Sequence, residues 1–145
     1  MHDARVHPTP TELTAPYWAA ARDGQLALQR CQECAAFTHP PAECCRYCGS
    51  GQRAFEAVSG RGTVETFSVV HRTFAPGFAD RVPYVIAWIA FDEQPGVRVF
   101  GNVHGLPGEE VRIGLRVALA FEDIEGFGPV PCFRPAGEDT GCGSA

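Results

Sequence analysis

The chain has 145 residues, including 16 Gly and 12 Pro, and a formal net charge of −5. That length makes one domain, or one domain with a small appendage, able to bury roughly two thirds of its unfolded surface without help from a metal. The negative balance argues against a protein that lives on nucleic acid, where phosphate neutralisation supplies most of the affinity. All twelve cationic residues are Arg, so Schiff-base and P-loop chemistry, which need Lys, are excluded.

Residues 1–13 are polar and proline-containing and read as a flexible arm. They lack the basic start and apolar core of a signal peptide. No apolar run approaches the ~18 residues of a membrane span. Both features lead to the expectation of a cytoplasmic protein, where thiols stay reduced. Thr14 can cap a short helix with Pro16 in its first turn, running to Arg22 and ending at Gly24. A helix this short needs tertiary packing to exist. Tyr17 and Trp18 therefore either staple it to the next module or meet a partner chain.

Gln25 to Arg30 alternates, with Leu26 and Leu28 on one face, and reads as a strand. It leads into Cys31-Gln-Glu-Cys34, then ten residues, then Cys45-Arg-Tyr-Cys48-Gly49. Two Cys-x-x-Cys pairs at this distance bring four thiolates to one point, as tetrahedral Zn²⁺ requires. Two disulfides are the alternative, disfavoured because nothing indicates export. Only Cys45 has the right spacing to Cys48, so Cys44 reads as a bystander. His39 is a spare ligand for a site that four cysteines already close. Four thiolates leave no coordination position for water or substrate, so the metal would be structural. A filled site would add two further negative charges.

Arg53 to Val58 reads as a linking strand, and Gly60-Arg-Gly62 as a turn. Five β-rich segments follow: Thr63–His71, Tyr84–Phe91, Val97–Val103, Leu115–Glu122 and Val130–Arg134. Tyr84 to Phe91 is continuously apolar, as expected of a strand covered on both faces. Five short antiparallel strands predict a small closed barrel of the OB type. The expected architecture is mainly β, with a helix and zinc ribbon over 14–58, an OB-fold over 59–135 and a disordered tail over 136–145.

Several stretches together resemble a known family. They are Gly24-Gln-Leu26, the four cysteines, Phe37 with Pro40-Pro41, Ser59-Gly-Arg-Gly-Thr63, Phe67-Ser-Val-Val-His71-Arg72, Pro83-Tyr-Val85, Ile113-Gly114 and Pro131-Cys-Phe-Arg-Pro135. From about Tyr17 to Pro135 the chain resembles the DUF35 proteins, which join a rubredoxin-like zinc ribbon to an acyl-CoA-associated OB-fold. Ala35 departs from the pattern, standing where the family usually has Gly, and Cys44 is an extra thiol. The resemblance implies a non-catalytic accessory subunit docked on a thiolase-like enzyme (a thiolase, a retro-aldolase of steroid side-chain degradation, or an acyltransferase). It also implies help in binding or channelling acyl-CoA, and a hetero-oligomer with two copies on a partner dimer.

No catalytic set stands beside this reading. Cys132 reads as a packed thiol. The five His are scattered, with His71 and His104 at strand ends. Two Arg–aromatic combinations remain for acyl-CoA or partner contact: Arg72 with Phe74, and Phe133 with Arg134. Each pairs a phosphate-binding guanidinium with a ring that can stack on adenine, unless the ring belongs to the core. Two other functional classes compete. One is a single-stranded nucleic-acid module, since ribbons and OB-folds both bind single strands. The other is electron transfer through rubredoxin-like iron on the same four thiolates.

Overall fold

The computed structural model describes residues 5–136. Helix α1 spans Ala15–Arg22. Thr14 is its N-cap residue, but its hydroxyl does not cap the helix. It accepts the Thr11 N–H instead, at 2.9 Å. Tyr17 and Ala21, one turn apart, are the helix's buried residues. Gly24, at φ +76°, turns the chain out of the helix while its N–H donates to the Ala21 carbonyl.

The chain then builds an antiparallel sheet of three strands, ordered β2–β1–β3: β1 (Leu26–Cys31), β2 (Phe37–Thr38) and β3 (Arg53–Val58). Leu26 and Leu28 are buried as the alternation predicts, but Ala27 and Gln29 on the other face are buried too. The reason is β1's central position and the helix packed against it. The predicted linking strand at 53–58 is in fact β3, paired with β1 along its whole length from Leu26↔Val58 to Cys31↔Arg53.

Five further strands close a barrel in the order β4–β5–β6–β8–β7. They are β4 (Arg61–Val70), β5 (Tyr84–Phe91), β6 (Arg98–Val103), β7 (Arg116–Ile124) and β8 (Gly128–Pro135). Neighbours pair antiparallel except β6 and β8, which meet in parallel at Val103↔Phe133. Val64, Val85, Ala87, Ile89, Phe91, Val99, Val117 and Phe133 fill the interior. Gly62 permits the β4–β5 approach, since a Cβ there would lie 2.5 Å from the Ala90 carbonyl oxygen.

Strand β5 corrects one expectation. Its apolar run is not covered on both faces. Val85, Ala87, Ile89 and Phe91 point inward, while Trp88 is 39% exposed. Alternation is intact, but part of the outward set is apolar. Residues 5–10 carry no regular secondary structure, yet Arg5 and His7 are held against the barrel. The tail expectation falls mostly on residues outside the described range.

Candidate metal centre and docking surface

The two knuckles are built alike. In each, the residue after the second cysteine takes positive φ and donates its N–H to the carbonyl of the first. Ala35 (φ +67°) donates to Cys31 at 3.1 Å, and Gly49 (φ +80°) to Cys45 at 2.9 Å. Ala35 adopts this left-handed turn despite its Cβ, a local cost of about 1 kcal/mol. Backbone amides then point at sulfur: Glu33 and Cys34 toward Cys31 Sγ at 3.4 Å each, and Tyr47 toward Cys45 Sγ at 3.3 Å. The Cys34 N–H leads in holding the Cys31 thiol down to about 6.

The four sulfurs of Cys31, Cys34, Cys45 and Cys48 all lie within 4.8 Å of one another. The pairs Cys31–Cys48 and Cys34–Cys45 are each 3.6 Å apart. A zinc ion with sulfur at about 2.3 Å sets tetrahedral S···S edges near 3.8 Å, so the cage fits the ion, and disulfides at about 2.05 Å are not formed. Cys44 stands outside the cage and is exposed. His39 is also outside it, with its ring 5.4 Å from that of Tyr17. All four positions come from protein, so the site is a closed, structural one.

The ribbon is fixed to the barrel by Gln94, in the turn between β5 and β6. Its amide oxygen accepts the Phe37 N–H at 2.8 Å, and its amide nitrogen donates to the Phe37 carbonyl at 3.1 Å. One side chain thus completes the backbone bonding of an edge strand in the other module. Beside it, the Ser59 N–H donates to Glu93 at 2.6 Å.

Along this junction runs a groove of about 290 Å³. Tyr17 and Trp18 of α1, His39 with Pro40-Pro41 of the ribbon, and Trp88 with Phe100 of the barrel line it. Burial pushes the Tyr17 hydroxyl up to about 12 and the His39 imidazole down to about 4. Both polar tips are therefore neutral near pH 7, and the groove presents rings without charge. Trp88 and Phe100 pack edge-on at 5.2 Å and form its outer ridge. Trp88 and Phe100 also border a second, smaller groove of about 210 Å³ over Thr66, Ser68 and Ile86.

The contact residues expected from sequence are dispersed. Tyr17 and Trp18 do meet at the junction, where Trp18 packs edge-on against Phe127 at 5.3 Å. Arg72 and Phe74 lie on the connection between β4 and β5, with Phe74 95% exposed. Arg134 is exposed at the end of β8, but Phe133 is 0% exposed. Adjacent strand residues face opposite ways, so Phe133 belongs to the barrel core and offers no ring for stacking beside Arg134. Sequence reading missed Trp88, Phe100 and Gln94. Trp88 was detectable as a bulky residue at an outward position of β5, whereas Gln94 left no local signal.

Fold and site together define a class: a structural zinc ribbon clamped to a small OB barrel, with no open metal position. Family models agree segment by segment. Residues 18–55 match the rubredoxin-like zinc ribbon domain of ChsH2, and residues 55–122 match the C-terminal OB-fold domain of ChsH2. A DUF35 domain-containing scaffold protein of Methanocaldococcus jannaschii is 38% identical over 99 residues, 66% of this chain and 67% of that protein. The chain belongs to the DUF35 family. The aldolase structure described as Ltp2-ChsH2(DUF35) contains a chain that superposes with a TM-score of 0.82 at 32% identity, covering 90% of this chain and 100% of that one. A probable enoyl-CoA hydratase alpha subunit of Thermomonospora curvata is 33% identical over 91% of this chain. The 3-oxo-4,17-pregnadiene-20-carboxyl-CoA hydratase alpha subunit of Mycobacterium tuberculosis is 33% identical over 84% of it. The present chain spans only 40% and 38% of those two subunits.

Proposed function

We propose that this protein is an accessory subunit that docks on a thiolase-like enzyme acting on acyl-CoA and has no turnover of its own. The observation that carries the reading is the aromatic junction, where the helix contributes Trp18, the barrel Trp88 and Phe100, and the ribbon His39 with Pro40-Pro41 to one surface. Aromatic residues of this kind anchor protein interfaces, and their exposure in an isolated chain leaves apolar area to be covered. The saturated zinc cage supports the reading, since it offers structure and no Lewis acid. The relatives support it as well, one being a scaffold, two being alpha subunits of CoA hydratases and one a chain of an aldolase.

In this proposal the partner carries the catalytic groups, and two copies of the chain flank a partner dimer. Arg72, Phe74 and Arg134 are the contacts proposed for the edge of the interface or for the CoA moiety. The ridge occupies the strands on which OB-folds bind ligands generally, but a chain of net charge −5 is poorly matched to nucleic acid.

The test is co-expression with a thiolase-like subunit of the same organism, with the complex mass read by native mass spectrometry. The wild-type chain should give a complex of two copies per partner dimer. Trp88→Glu and Phe100→Glu should abolish it while the zinc content stays at one ion per chain. A full complex with both variants would refute the docking surface.

A further inference from the structure

Glu122 of β7 gathers three side chains from outside its own strand. Arg5 Nη1, in the N-terminal arm, lies 3.1 Å from one carboxylate oxygen. Arg81, in the long connection between β4 and β5, bonds the same oxygen. His104 Nε2 stands 3.4 Å from the other. Both guanidinium groups also lie over one ring, Phe78, at 4.7 Å for Arg5 and 5.5 Å for Arg81. Phe78 in turn stacks on Tyr84 at 5.0 Å, at the start of β5.

Gly77 makes the convergence possible. It sits at φ +80°, and a Cβ there would fall 2.4 Å from Arg5 Cγ and 2.7 Å from the Arg5 nitrogen. Two residues further along the arm, His7 bonds the Glu125 carbonyl at 2.9 Å, and its ring is 5.9 Å from that of Phe127. Arm and connection therefore touch each other and share one anchor, although Arg5 and Gly77 stand 72 positions apart in sequence.

We infer that Glu122 is a latch that fastens the N-terminal arm and the 71–83 connection to the barrel as a single strap, which opens and closes as one unit. One carboxylate oxygen holds both guanidinium groups, and the Phe78 ring is shared between them. Removing either guanidinium loosens the ring contact of the other, so neither segment stays docked alone. The strap carries Arg72 and Phe74. If the accessory-subunit reading holds, a partner that grips those two residues also pulls on the arm. That consequence rests on the proposed function, but the latch itself does not.

The test is hydrogen exchange of the isolated zinc-loaded chain, followed in peptides covering 5–13 and 71–83. Glu122→Gln should speed exchange in both segments by on the order of tenfold, as loss of charge-assisted bonds to two segments requires, with the β5 and β8 peptides unchanged. Arg5→Ala should speed exchange in 71–83, a segment whose sequence it leaves intact. If Glu122→Gln does not fold, Arg5→Ala decides the matter alone. Faster exchange in one segment only, or in neither, overturns the latch. No partner is present in this experiment, so its failure leaves the docking proposal standing, and failed docking leaves the latch standing.

Discussion

Replacing Gln94 with Ala removes the one side chain that bonds both backbone groups of Phe37 across the ribbon–barrel junction. Each lost hydrogen bond costs about 1 kcal/mol net, and leaving a partly buried N–H and C=O unpaired adds to that. The sum is about 2–3 kcal/mol. At a urea dependence of about 1–3 kcal/mol per molar, the unfolding midpoint of the zinc-loaded chain should fall by about 0.7–3 M. Trp18 and Trp88 line the groove at this junction, so tryptophan emission reports the transition. The variant should keep its zinc, because no cage ligand is touched, but should dock more weakly because the junction groove loses its fixed shape. A midpoint within about 0.3 M of wild type, equivalent to less than 1 kcal/mol, would refute the claim that Gln94 joins the modules.

Substitutions in three other parts of the molecule, the cage, the barrel and the groove, test separate contributions. Cys31→Ser or Cys48→Ser should lose the metal, unfold the ribbon and abolish docking, with no rescue by added zinc; metal content by atomic absorption and binding to the partner are the readouts. Gly62→Ala should destabilise the barrel by about 1–3 kcal/mol, because its Cβ would press on the Ala90 backbone; thermal unfolding checks this. His39 gives a pH signature. Its folded pKa is lowered from 6.5 to about 4 by burial, so above 6.5 the ring is neutral in both states. As pH falls from 6.5 to 4 the unfolded chain takes up the proton first, and stability drops by up to about 1.4 kcal/mol per unit, levelling off below 4. Comparing the wild type with His39→Phe by urea titration at each pH isolates this contribution from protonation of the zinc ligands.

Local patterns in the sequence were enough to find the metal cage. Its ligands come in two pairs, each closed by bonds within five residues, so spacing alone carries the geometry. The barrel strands were legible for a similar reason, since inward and outward positions alternate along β5 and, on either side of an irregularity at Glu65, along β4. The errors came where side-chain identity and tertiary placement part company. Phe133 sits beside Arg134 in sequence, yet the pleat sends it into the core. The run from Tyr84 to Phe91 is apolar throughout, but its outward Trp88 meets solvent at the edge of the junction groove. Gln94 and Phe37 are 57 residues apart, and nothing in either neighbourhood marks a polar clamp. Glu122 was likewise seen only as the polar end of a strand. Its partners lie in the N-terminal arm, in the short 3-10 turn at Ala79–Arg81 and just past the end of β6, where periodicity says nothing.

The central claim is that this chain assists an acyl-CoA enzyme without catalysing. The most direct measurement compares acyl-CoA turnover by the zinc-loaded chain alone, by the thiolase-like subunit alone, and by the two combined. An accessory subunit should give no turnover alone, the thiolase-like subunit little, and the two together full activity. Turnover by the isolated chain, or a partner equally active without it, would contradict the account.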